Sequence, residues 1–223
     1  MQRPHNIRKY TVGDSHIVCR KYDLFQPDEA SIAKMNEVDR LMRLCSGALE
    51  GLCSITIRED VRNTSVDALT AMDSLDPSLV RAAYALADEV DLLTPGSLDD
   101  VHSIMYPGSD GMSDDSEAFL KEIFDKCFRS NLPMTLMAAY IHNGIIYVNP
   151  YGKGDRVMAA MWYSELLGRT FKEFQYISPE AEFMRDRATY DAMVAKPMDL
   201  KGFLDFSLDC DREALSRLFG SMW

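Results

Sequence analysis

The sequence predicts an all-α domain, and three observations carry that prediction. From Pro27 onward, apolar residues recur mostly at intervals of three and four, the period of a helix with one buried face. Asp76-Pro77 and Ser178-Pro179 each place a capping side chain before a proline at the first helical position, a strong helix start. Strand-like runs are confined to the beginning of the chain: Tyr10-Thr11-Val12 and His16-Ile17-Val18-Cys19 read as a small hairpin around Gly13-Asp14 or as an irregular arm. At 223 residues and 47% apolar the chain suits one domain with a real core. The expected division is an N-terminal arm, 1–27, and a helical domain, 28–223, with no repeat, low-complexity stretch or linker.

The elements follow in order. Ala30, Val38, Leu41, Met42, Cys45, Ala48 and Leu49 predict a first helix over 28–51, reaching about Glu50, with Gly51 as its cap. Thr56 opens a short helix to Val61, and Thr64 or Ser65 another to Met72. The Asp76-Pro77 helix buries Leu79, Val80, Ala83, Leu86, Ala87 and Val90, and Thr94-Pro95-Gly96 stops it. Ser97 with Asp100 is a capping-box-like start for a helix over 98–105. Tyr106 to Asp115 is the most loop-like stretch. Phe119, Leu120, Ile123, Phe124, Cys127 and Phe128 face a core, and a helix from Pro133 to about Tyr147 follows. Asn149-Pro150 ends it, because a residue before proline is pushed out of the α region. Asp155 caps the next helix, with Val157, Met158, Met161, Trp162 and Leu166 inward and Gly168 closing it. A helix from Ser178-Pro179 to Val194 and two short ones, near 200–206 and 212–219, finish the chain.

Charge and cysteines narrow the function. A net charge of −11 without a basic run argues against a nucleic-acid surface. Five scattered cysteines, without CxxC or zinc spacing, suggest reduced thiols in the cytoplasm. The N-terminus lacks a signal-peptide h-region, and no apolar run is long enough to span a membrane. The methionines read as core filler.

One stretch offers chemistry. Tyr151 to Gly154 carries two glycines and Lys153 between two helices, with Arg156 just inside the second. Free N–H groups at a helix N-terminus beside two cations suit a phosphate. On this stretch alone an ordinary helix–turn–helix connection is the reading the residues favour. His142 and His102 read as packing or hydrogen-bonding histidines.

The order of elements and the run Asn149-Pro150-Tyr151-Gly152-Lys153-Gly154-Asp155-Arg156 resemble the Fic (Fic/Doc, or Fido) family. Its motif is His-Pro-Phe, one residue, Asp or Glu, then Gly-Asn-Gly-Arg, and the run here is one residue shorter. Leu98 to His102 resembles the helix before the family's target-docking flap, Pro107-Gly108 the flap's opening, and Arg187 to Tyr190 part of the closing helices. Ser46-Gly47-Ala48-Leu49-Glu50-Gly51 is similar to the family's inhibitory helix, Ser or Thr, three residues, Glu, then Gly or Asn. A pair such as Ser46 and Glu50 at i, i+4 also lies on one face of any amphipathic helix.

The resemblance implies transfer of AMP from ATP, with Mg²⁺, to a hydroxyl of a protein target. It also implies departures. Asn149 stands at the general-base position, and a carboxamide takes no proton at neutral pH. Either Lys153 replaces the metal-binding acid and Asp155 the motif asparagine, or Asp155 supplies the carboxylate; as a helix cap it would do neither. Lys153, Gly154, Asp155 and Arg156 are the candidate phosphate ligands. Ala159 replaces the motif's second arginine, the usual partner of the inhibitory glutamate. The flap has little β-propensity. The expectation is a Fic-fold protein with lost or altered catalysis, binding a phosphate or nucleotide at 149–156 and meeting a protein target or regulator. An active transferase and a helical interaction protein without a phosphate site are the alternatives.

Overall fold

A computed structural model describes residues 26–49, 55–130 and 132–221. Among them are ten α-helices, one short 3₁₀ helix and no strand. They are α1 (Glu29–Leu49), α2 (Ile55–Asp73), α3 (Pro77–Ala87), α4 (Pro95–Met105), α5 (Asp114–Arg129), α6 (Met134–Val148), α7 (Asp155–Thr170), the 3₁₀ turn (Lys172–Tyr176), α8 (Pro179–Arg185), α9 (Arg187–Val194) and α10 (Leu200–Ser221).

The centre is the hairpin of α6 and α7, joined by residues 149–154. Both helices are buried nearly all round, as helices enclosed by others must be. Ala138, Ala139, Ala159 and Ala160 keep side-chain bulk low there and are almost wholly inaccessible. Around the hairpin, α5 and α10 pack on α6, while α2, α8 and the 3₁₀ turn pack on α7. The outer helix α1 lies along α10. Two large buried aromatics find partners for their polar atoms: the Trp162 indole N–H donates to the Leu92 carbonyl at 2.9 Å and the Tyr163 hydroxyl to Asp211 at 2.6 Å.

Several boundaries differ from the sequence expectation, each for a local reason. Residues 55–73 form one helix. Within it Thr64 Oγ1 donates to the Asp60 carbonyl at 2.9 Å, and Ser65 reaches across to Ser178 and Glu180, so neither is a cap. Thr94-Pro95 opens a helix instead of stopping one: Thr94 is the N-cap of α4, Pro95 its first residue, and Ser97 lies inside. The 178–194 helix breaks at Asp186, whose carboxylate accepts the Thr189 N–H at 3.3 Å and caps α9. The two short C-terminal helices are one, running from Leu200 to Ser221, and between the two expected spans Asp211 is buried and accepts from the Tyr163 hydroxyl. Gly168 lies within α7, which runs on to Thr170. Phe128 is 66% exposed and leaves the core face to its five neighbours. Asp76 caps α3 as expected, accepting the Ser78 N–H. The expected strands at 10–19 and the Glu50-Gly51 helix end lie outside the described residues. No helix among those described is long and apolar enough to cross a membrane.

Candidate functional site: the bend between α6 and α7

Asn149 ends α6 in the left-handed region (φ 51, ψ 57), its N–H bonded to the Ile145 carbonyl at 2.9 Å. Asparagine tolerates this conformation better than most residues. Gly152 (φ 70) and Gly154 (φ 86) are left-handed too. Gly154 is needed twice over. It is the N-cap of α7, and a Cβ on it would collide with the ring of Tyr106.

Asp155 is therefore the first residue of α7, not its cap, and this corrects the sequence expectation. Its side chain turns back under the bend, where Oδ1 accepts the Tyr151 N–H at 3.1 Å. It is only 6% exposed, and Oδ2 has no hydrogen-bond partner. Burial raises its pKa to about 7, against the pull of the N–H groups of Tyr151, Gly152 and Asp155 itself. The carboxylate thus occupies the inner side of the bend.

An aromatic layer covers another side. His102, on α4, stacks on Tyr151 with centroids 3.5 Å apart and on Tyr106 at 4.7 Å. Its Nε2 is 3.0 Å from the Lys153 carbonyl, which can only accept, so Nε2 carries the proton. Burial, the largest influence, holds this imidazole below its ordinary pKa. The Tyr106 hydroxyl donates to Asp73 at 2.7 Å, tying the layer to the end of α2.

The two cations of the bend are committed apart. Arg156 pairs with Asp191 of α9 at 2.5 Å and reaches the Met72 carbonyl at 3.4 Å. Lys153 is exposed, its Nζ 5.4 Å from the Tyr106 ring centre. Lys153, Gly154, Asp155 and Arg156 are thus neighbours, but not convergent donors around one space. Ser46 is half-buried on α1, and the adjoining Cys45 thiol meets the Leu215 carbonyl at 3.5 Å. That stretch packs on α10 and on the 3₁₀ turn after α7, about 24 Å of helix away from the bend. Glu50 lies outside the described residues.

His142 is a packing histidine, as expected. It is fully buried, stacks on Phe203 at 3.9 Å, and burial lowers its pKa to about 3. The Asn143 amide N donates to the Pro197 carbonyl at 3.3 Å, which turns its oxygen to His142 Nδ1 at 3.1 Å. Nδ1 therefore carries the proton and Nε2 accepts from the Tyr190 hydroxyl at 3.0 Å. The residues that close the bend, Tyr106, His102, Asp73 and Asp191, were not in the expected site. The one available signal was the i, i+4 spacing of His102 and Tyr106, which puts both on one face.

Cavities also open elsewhere among the described residues. One of about 550 Å³ lies between α8, α9 and α10. Another of about 270 Å³ lies at the far end of α7, beside Arg62, Glu165 and Glu180. Among the described residues no three His, Cys, Asp or Glu side chains cluster as metal ligands.

No family model matches the sequence, and no curated protein matches it. A solved structure does: a Fic family protein from Desulfovibrio desulfuricans G20, with a TM-score of 0.76 at 16% identity, over 88% of this chain and 77% of that one. At that identity the likeness establishes the fold, which is of the Fic type, and leaves the activity open.

Proposed function

We propose that this chain is a Fic-type fold that has lost AMP transfer, its bend closed by its own side chains. The observation that carries the reading is Asp155: a buried carboxylate already lies on the N–H groups that would meet a phosphate. An entering phosphate would have to displace the tethered Asp155 carboxyl group and the Tyr106 ring. Asn149 at the base position takes no proton from a hydroxyl nucleophile, and Arg156 is held by Asp191. The residues present do not suit Mg²⁺ either. That ion needs oxygen ligands in near-octahedral order, whereas here the place of the motif acid falls to Lys153, a cation, or to one buried, inward-turned aspartate, Asp155.

The test is label transfer from α-³²P-ATP with Mg²⁺ to the full chain and to lysate proteins, alongside thermal melting with ATP and Mg²⁺. The expected outcome is no transfer and no shift in Tm, for the native chain and for Asn149→His. Transfer by the native chain would overturn the loss of catalysis; transfer by Asn149→His alone would overturn the closed bend.

A second reading keeps altered chemistry at the bend, and one observation favours it. Asp155 titrates near neutrality with one oxygen unpartnered, as a general acid or base should. On that reading label is transferred and Asp155→Asn abolishes it. On the first, Asp155→Asn changes stability alone.

A further inference from the structure

We propose that the groove between α8, α9 and α10 is the seat of the chain's own basic arm, residues 1–25. Met193, Phe206 and Cys210 give the groove apolar lining, and Asp186, Asp209 and Glu213 give it carboxylates. Its two arginines, Arg185 and Arg217, are both engaged by Glu182. Asp186, Asp209 and Glu213 each meet one partner, the Thr189 N–H, Lys34 and Arg212, and a carboxylate has about four acceptor positions. The Cys210 thiol senses the field: burial first, then Asp211, Glu182, Asp186 and Asp209, push its pKa well above the ordinary value.

Three facts select the occupant. First, the chain enters the described domain beside the groove. Asp28 pairs with Lys201 at 3.3 Å, Ser31 Oγ donates to Asp205 at 2.6 Å, and Lys34 pairs with Asp209 at 2.6 Å; Asp205 and Asp209 both line the groove. Second, charge is complementary. Residues 1–25 carry Arg3, Arg8, Lys9, Arg20 and Lys21 against Asp14 and Asp23, in a chain of net charge −11. Their apolar members, among them Tyr10, Val18, Tyr22 and Phe25, suit the lining. Third, the reach suffices. The groove follows α10 from Gly202 to Arg217, about 22 Å of helix, and 25 residues can extend to about 80 Å. A tethered segment also binds at an effective concentration of about millimolar.

Carbodiimide cross-linking of the full chain, with peptide mass spectrometry of the monomer, tests this. The expected links join Lys9 or Lys21 to Asp186, Asp209 or Glu213. They should fall at least fivefold in Arg8→Glu/Arg20→Glu, which keeps both lysines. Links from Lys9 and Lys21 only to carboxylates outside the groove would overturn the proposal. Groove links confined to covalent dimers would overturn it in favour of a second copy. Iodoacetamide labelling of Cys210 gives an independent readout. The same double variant, with helicity unchanged by circular dichroism, should label several-fold faster. An unchanged rate would show the groove is not covered by the arm.

Discussion

The two ends of α7 handle buried charge in opposite ways. At the bend, Asp155 is buried without a cation, an aromatic layer covers it, and both local cations turn elsewhere. At the other end Glu165 and Glu180 are also buried, but there cations and hydroxyls come in. Arg62 pairs with Glu165 at 2.6 Å and sits over the Tyr84 ring at 4.2 Å. Glu180 accepts from the Tyr84 hydroxyl at 2.6 Å and from Ser178 at 3.1 Å. Arg169 donates to the carbonyls of Ala87 and Val90. That end keeps a cavity of about 270 Å³. The glycine-bearing bend therefore does not by itself make an open anion seat. Side chains delivered by α4 decide whether it stays open.

The comparison breaks most visibly at the far end. Glu180 is 1% exposed, and Glu180→Ala would leave the buried Tyr84 hydroxyl without its acceptor and open a void. Unfolding in urea should show a loss of about 3–5 kcal/mol. A loss below about 1 kcal/mol would mean that water replaces the carboxylate and that this end is as wet as its cavity suggests.

At the bend the corresponding variant is Gly154→Ala. The left-handed backbone costs an alanine about 1 kcal/mol, and the new methyl must displace the Tyr106 ring at about 1–3 kcal/mol more. A total loss of about 2–4 kcal/mol is expected from the same measurement. Tyr106→Ala in the same chain should recover the steric part, as a double-mutant cycle would register. Full additivity would show that the ring does not cover the glycine.

This glycine also marks how far the sequence could be read. Asn149-Pro150 and the two glycines were enough to place a bend between two buried helices, and that bend is there. Why Gly154 must lack a side chain was not legible. It reads as a place for a phosphate to approach, whereas a tyrosine ring from another helix fills it. The Lys153 carbonyl meets a histidine 51 residues away, and Arg156 meets an aspartate 35 residues away; no local pattern reports such pairings. The same limit explains the misjudged helix ends. Ser65 looks like a boundary because it is polar, and it lies inside a helix because the distant Ser178 and Glu180 bond it.

Asp155→Asn should act in the opposite direction and depend on pH. Burial sets the folded pKa of Asp155, about 7, above its ordinary 3.8. The folded state therefore holds a proton that the unfolded chain releases. Its contribution is complete below about pH 4 and is lost as pH rises to about 7. Asp211, raised to about 8 by burial, acts the same way. Stability should therefore fall between pH 5 and pH 8. Asparagine keeps a carbonyl for the Tyr151 N–H and carries no charge. The variant should match the native chain below about pH 4, draw ahead as pH rises through 5 to 7, and exceed it at pH 8 by up to about 4 kcal/mol. A native-like pH profile in the variant would mean that Asp155 is ionised and compensated in the fold.

The smallest effect belongs to Lys153, and its size decides what kind of place the bend is. The ammonium is exposed, and its visible neighbour is the Tyr106 ring, a contact worth about 0.5 kcal/mol at such a site. Lys153→Ala should thus change stability by no more than that in phosphate-free buffer. Ten millimolar phosphate should leave both proteins where they were, since a ligand that does not bind the folded state adds nothing to its stability. If phosphate raised the Tm of the native chain but not of Lys153→Ala, the lysine would be holding an anion over the bend. Asp155 and the aromatic layer would then be a floor beneath an outer site rather than a plug, and the contrast between the two ends of α7 would disappear.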